Sequence, residues 1–215
     1  MRQIIPEGIL LVAFSMAINM ELIAQNKFLA LGDSYTIGEN VNENERWPNQ
    51  LASLLHFETK PTIIATTGWR TDNLANAINI ADLKEDYDLV SLLIGVNNQY
   101  QGESIQQYAV AFEALLKTAI RLARGKKENT FVVSIPDYGF TPFGMKSREK
   151  ISKAIDEFNE VNKRITDQMQ VRYITITDIS REGLNDPQLV ATDGLHPSGK
   201  MYGLWAVRIM KEMDR

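Results

Sequence analysis

From residue 27 onward, short runs of apolar, β-branched residues alternate with longer segments whose apolar residues recur every three and four positions. The short runs are Lys27 to Leu31, Pro61 to Thr66, Asp88 to Ile94, Asn129 to Ile135 and Val171 to Ile176. Each is too short for a helix and is followed by glycine, proline or polar turn residues, so each predicts a buried strand. The clearest helical stripe passes through Ile151, Ile155, Phe158, Asn162, Ile165 and Met169, and a second through Ile105, Ala109, Phe112, Leu116 and Ala119. Both read as faces that cover a sheet. Strands that alternate with helices build a parallel sheet covered on both sides. The expected fold class is therefore α/β, a three-layer α/β/α domain over residues 25–215 with a five-stranded parallel sheet; among the possible strand orders, the flavodoxin-like 2-1-3-4-5 is the one expected.

In such sheets ligands bind beyond the carboxyl ends of the strands, where the strand order reverses. The residues that follow the first three strands are therefore the ones to inspect: Gly32-Asp33-Ser34-Tyr35-Thr36, Thr67-Gly68-Trp69-Arg70 and Gly95-Val96-Asn97-Asn98. Acyl transfer requires a nucleophile, a base beside it, a group that orients the base, and donors for the developing oxyanion. Ser34 stands in a turn after the first strand. His196 stands in Asp193-Gly194-Leu195-His196-Pro197, where a glycine lets the chain turn so that Asp193 can hold one imidazole nitrogen and leave the other free for Ser34. The other histidine, His56, ends the segment from Trp47 to Leu55, away from the strand termini. Asp33 is adjacent to the nucleophile and reads as a turn acceptor rather than as the partner of the imidazole.

These short blocks together, in order from residue 32 to residue 196, resemble the GDSL/SGNH hydrolase superfamily, whose blocks centre on Ser, Gly, Asn and His. The chain carries Tyr35 where the family has its eponymous Leu, and Asn98 in place of a block-three Asp. The resemblance implies a serine esterase: Ser34, Asp193 and His196 catalytic, with an oxyanion hole made from the Ser34 and Gly68 backbone N–H groups and the Asn97 side chain. It implies no cofactor, and it leaves open acetylated sugars, lipids, thioesters and aryl esters. Trp69, Arg70, Tyr100 and Phe143 are expected on loops that wall a pocket.

Composition narrows the partners. Twenty-seven acidic residues against 23 basic ones give a net charge of −4 in mixed order, with no basic stripe for a phosphate backbone, so nucleic acid is not expected. The chain has no cysteine and two histidines, which excludes disulfides and thiolate ligands and leaves no histidine spacing for a metal site. The substrate expected is a small ester, with an acylated carbohydrate foremost. A different class of function also fits the first turn, in which Ser34 to Thr36 could cradle a phosphate in a non-enzymatic, flavodoxin-like or inactive domain. That alternative has no use for Asp193-x-x-His196.

The N-terminus holds Arg2, an apolar run from Ile9 to Ile18 broken by Ser15, and then Asn19, Glu21 and Ala24. This reads as a secretory signal peptide over residues 1–24, cleaved near Ala24, and implies export to the periplasm or medium. The alternative is an uncleaved N-terminal helix packed on the domain or lying on a membrane, with a cytoplasmic protein. The run is too short to span a bilayer comfortably, so no stable membrane insertion of the mature domain is expected.

Overall fold

Strands with no polar face must be covered on both sides, and the three inner strands of this sheet have none. In a computed structural model that describes residues 26–213, β1 (Phe28–Gly32), β3 (Leu89–Leu93) and β4 (Thr130–Val133) are buried along their whole length. They are joined by β2 (Thr62–Ala65) and β5 (Arg172–Ile174) in one parallel sheet of order β2-β1-β3-β4-β5. The register sets Gly32 beside both Ala65 and Leu93, so the first three strands end level with one another. The signal-peptide reading of residues 1–24 lies outside the described residues.

The connecting helices are α1 (Ser34–Ile37), α2 (Trp47–Leu54), α3 (Thr71–Ile80), α4 (Val96–Tyr100), α5 (Ile105–Leu122), α6 (Arg148–Gln168), α7 (Thr177–Ser180) and α8 (Gly199–Met213). α2 packs on α8, while α3, α5 and α6 pack side by side, and these two groups cover the two sheet faces. The stripe read from the sequence is the inner face of α6: Ile151, Ile155, Phe158, Asn162 and Ile165 are buried. Its polar member, Asn162, meets the buried Tyr108 hydroxyl at 2.7 Å, and that hydroxyl also bonds the Ile94 carbonyl at 3.0 Å. The Asn162 side-chain carbonyl is thus matched by a buried hydroxyl, while among the described residues its Nδ2 has no partner. The five-stranded parallel sheet and its order agree with the expectation from the sequence.

One glycine is fixed by this packing. Gly95, between β3 and α4, has φ of 130°, and a Cβ placed on it would lie 2.3 Å from the Tyr108 hydroxyl and 2.8 Å from Ile135. Replacement by alanine therefore combines backbone strain with a steric clash. Gly95→Ala should lower the free energy of unfolding by about 2 to 4 kcal/mol, measured by urea denaturation. A loss under about 0.5 kcal/mol would mean that the loop relaxes freely.

Candidate active site

The turn that carries Ser34 begins where β1 ends. Asp33 is the N-cap of α1, and its Oδ1 accepts the Tyr35 N–H at 3.0 Å, the role of turn acceptor expected for it. Ser34 is the first residue of the single-turn α1 and is buried. The turn closes on Gly38, whose left-handed backbone (φ 73°) ends the helix. Asp33 is fully buried, and among the described residues its Oδ2 has no hydrogen-bond partner. Burial pushes its carboxyl up to about 7, against the Tyr35 N–H, which favours the ionised form.

The loop that carries His196 is held at both ends. Val190 pairs with Pro197 as an antiparallel bridge, and the Ala191 N–H donates to the His196 carbonyl at 2.7 Å. Between them the chain reverses through Gly194 (φ 72°). Asp193 is tightly engaged. Its Oδ1 accepts the Leu195 and His196 N–H groups at 2.9 and 3.0 Å, and its Oδ2 meets His196 Nδ1 at 2.6 Å. Oδ2 also accepts from Asn40 Nδ2 at 2.5 Å. Burial alone would raise the Asp193 carboxyl, but the bonds from the His196 ring and the two backbone N–H groups outweigh it and hold it below the usual value. His196 is 8% exposed, with its ring against Tyr35 at a centroid distance of 5.5 Å.

Two further strand ends complete the site. Gly68 follows β2 with φ of 82°, and nothing lies within 4 Å of where its Cβ would be. Conformation, rather than crowding, is what calls for glycine here. Asn97 lies on α4 and donates from Nδ2 to the Trp69 carbonyl at 2.9 Å, tying the third strand end to the second. Among the described residues no protein group takes up the Ser34 or Gly68 N–H. Asn98 points elsewhere: it is buried, with bonds to the Thr71 N–H and hydroxyl and to Glu103. It anchors α3 and has no part in the pocket wall.

Ser34, Gly68, Asn97 and His196 line one cavity of about 180 Å³, together with Tyr35, Thr67, Val96, Tyr100, Tyr138, Phe143 and Leu195. Of the four residues expected in its wall, Tyr100 and Phe143 are there; Trp69 and Arg70 are not. Trp69 packs partly buried against the core. Arg70 turns back to Asp72, with bonds of 3.2 and 2.9 Å to the two carboxylate oxygens, because an arginine at the foot of α3 finds the acidic first turn closer than the cavity. Among the described residues no hydrogen bond joins Ser34 to His196, so the closed contact expected on that side is absent. Such contacts often tighten only around substrate. His56 lies exposed beyond the end of α2, away from this cavity. Among the described residues no group of three or more His, Asp or Glu side chains is placed to hold a metal ion.

Sequence reasoning missed Tyr35 and Tyr138 as wall residues and Asn40 as a partner of Asp193. Tyr35 had a signal, since it departs from the family motif beside the nucleophile. Tyr138 and Asn40 had none, being single polar or aromatic residues in loops.

The model of the GDSL-like lipase/acylhydrolase family matches residues 30–204, which takes in every residue of this cavity. The chain belongs to that family. Membership places it among hydrolases of the esterase and acylhydrolase kind, which act on small-molecule esters. Solved structures agree on the fold. A member of the lipolytic G-D-S-L family from Veillonella parvula is 18% identical, with 88% of this chain and 98% of that one covered and a TM-score of 0.69. A putative lipolytic protein of the G-D-S-L family from Desulfitobacterium hafniense is 15% identical, with 87% and 99% covered and a TM-score of 0.71. An acetylxylan esterase from Geobacillus stearothermophilus is 17% identical, with 88% and 94% covered and a TM-score of 0.69. None of the curated proteins compared matches the chain.

The buried acid in the Gly32-Asp33-Ser34 turn has a measurable consequence. Native Asp33 keeps its proton over a range in which the unfolded chain has lost it, so its contribution to stability falls as pH rises from 3.8 towards about 7 and is constant above. Asparagine keeps the capping oxygen and stands in for the neutral acid. The stability of Asp33→Asn relative to the parent should therefore grow through that window and level off beyond it, as followed by denaturant titrations at a series of pH values. A difference independent of pH would show that Asp33 is ionised throughout.

Proposed function

We propose that this GDSL-family chain is a serine esterase for short acyl groups, with Ser34 as nucleophile, His196 as general base and acid, and Asp193 as the group that orients the imidazole. One observation carries the reading: the Asp193–His196 bond of 2.6 Å fixes a histidine at the wall of the cavity that also holds Ser34, Gly68 and Asn97. With Nδ1 taken by Asp193, the ring offers Nε2 to the serine hydroxyl. Ser34 Oγ attacks the ester carbonyl while its proton passes to His196. The Ser34 and Gly68 N–H groups and the Asn97 amide receive the oxyanion. Collapse of the tetrahedral intermediate expels the alcohol, which takes the proton from His196 and leaves an acyl group on Ser34. Water, deprotonated by His196, then releases the acid. Asp193 stays ionised throughout, as its lowered pKa favours.

Size and lining support a short acyl group. The cavity, at about 180 Å³, is below the roughly 300 Å³ at which pockets for larger ligands begin, and Val96, Tyr100, Tyr138 and Leu195 give it an apolar wall. For the alcohol side the reading is an acetylated carbohydrate. Tyr100 and Phe143 are 60% and 53% exposed and form an aromatic cluster with Tyr138, whose exposed part suits the apolar C–H face of a sugar. The fold is shared with an acetylxylan esterase. Export through cleavage of residues 1–24 agrees with a polymeric substrate outside the cell. Protein recovered from its host should then begin near Gln25 by mass spectrometry, and an intact Met1 would rule out the leader.

Ser34→Ala should abolish hydrolysis of p-nitrophenyl acetate. Asn97→Ala should lower kcat by ~100- to ~1000-fold and still leave Ser34 open to fluorophosphonate labelling. Across a p-nitrophenyl ester series, kcat/KM should drop at least about tenfold from butyrate to octanoate. A rise along that series would favour a lysophospholipase or thioesterase, and an unlabelled Ser34 in folded protein would sink the esterase reading.

A further inference from the structure

Asp193 receives four hydrogen bonds, and three of them come from its own turn. The Leu195 and His196 N–H groups and His196 Nδ1 all move with the loop that carries them. Of these four, the last reaches outside the loop: Asn40 Nδ2 donates to Asp193 Oδ2 at 2.5 Å across 153 residues of sequence, and it joins the Phe143 N–H on the Gly194 carbonyl at 2.9 Å in holding the loop to the rest of the molecule. Asn40 lies two residues beyond the Gly38 cap that ends the nucleophile helix. Its backbone is left-handed (φ 60°), a conformation that asparagine adopts more readily than other residues with a side chain. The residue before it reaches in another direction, since the Glu39 carboxylate accepts from the Thr67 hydroxyl beside Gly68. Two consecutive side chains after α1 thus hold the loop of the base and the loop of an oxyanion donor.

We infer that Asn40 is a positioning residue for the acid–base pair, fixing Asp193, and through it His196, relative to Ser34. The inference rests on the esterase reading and extends it to a residue outside the family blocks. Its physical content is directional. Because no hydrogen bond joins Ser34 to His196, the distance between nucleophile and base depends on how the two loops are tied, and the Asn40 amide is a direct tie between the nucleophile segment and the acid. The amide also draws electron density from the oxygen that faces the imidazole, which weakens the pull of Asp193 on a protonated ring. Other carboxyl groups stand near the pair. Burial first, and then Asp33 and Asp137 acting on Tyr35 and Asp33 and Glu39 acting on Tyr202, hold both tyrosine hydroxyls neutral. These groups are common to the parent and the Asn40 variants, so a difference between them reports the change at residue 40.

Two variants and two readouts test this. Asn40→Gly removes the amide and tolerates the left-handed backbone, and it should lower kcat on p-nitrophenyl acetate by ~10- to ~100-fold, the weight of one hydrogen bond to a charged group, with KM nearly unchanged. Asn40→Asp keeps the shape and sets a second negative charge beside Asp193. It should favour the protonated imidazole, moving the His196 titration followed by NMR, and the acid limb of kcat, to higher pH. His56 serves as the internal reference, because its signal should not move. The NMR titration does not require turnover: if His196 shifts in Asn40→Asp while the parent chain neither hydrolyses esters nor takes up fluorophosphonate, the coupling stands and the esterase reading falls. Should the parent be active while Asn40→Gly retains its kcat and Asn40→Asp leaves both titration and acid limb in place, the proposal is overturned. Loss of kcat in Asn40→Gly with an equal drop in thermal stability and no movement in Asn40→Asp would equally overturn it, as the signature of a purely structural contact.

Discussion

Burial of β1 and β3 on both faces is the constraint from which the rest of this molecule follows. A strand without a polar face must be covered twice, which requires right-handed crossovers with helices on each side. Parallel strands then all release the chain at the same edge. Turns after β1, β2 and β3 meet there, and with them Ser34, Gly68 and Asn97. His196 comes from a loop late in the chain and closes the site from the side. The cavity is thus a product of sheet order: the turn after β1 is flanked by those after its two neighbours, which is where a serine can have donors on more than one side.

Within this edge the polar bonds divide into two kinds. Some lie inside one turn, such as Asp33 with the Tyr35 N–H or Asp193 with the N–H groups that follow it, and these shape the turn itself. Others run between turns: Asn97 to the Trp69 carbonyl, Asn98 to Thr71, Glu39 to Thr67 and Asn40 to Asp193. The second kind sets the distances on which chemistry depends. Asp33 belongs to the first kind, and burial, with no partner for its second oxygen among the described residues, pushes this carboxyl next to Ser34 up to about 7.

The same division explains what the sequence revealed. Strands and covering helices were legible because they rest on periodic burial, as the α6 stripe from Ile151 to Ile165 illustrates; the sheet order leaves no periodic mark and was one choice among several that the alternation allows. Ser34, Gly68 and Asn97 were legible as short blocks at strand ends, and Asp193 and His196 as a short block in a loop late in the chain. Residues whose place depends on where two loops meet were not. Trp69 and Arg70 were expected at the cavity because they follow Gly68, yet Trp69 settles on the core and Arg70 on Asp72. Tyr138 and Asn40 reach the site from loops that carry no periodic or motif signal. Asn98 stands in a family block and looked like a variation in the site, whereas its amide secures α3.

Phe143 and His196 belong to different loops, but the Phe143 N–H donates to the Gly194 carbonyl at 2.9 Å, and Gly194 sits within the turn between Asp193 and His196. This part of the cavity wall is therefore stitched to the turn that carries His196. The two loops are mechanically one unit. A substitution that displaces Phe143 to widen the cavity pulls on the backbone between Asp193 and His196 as well.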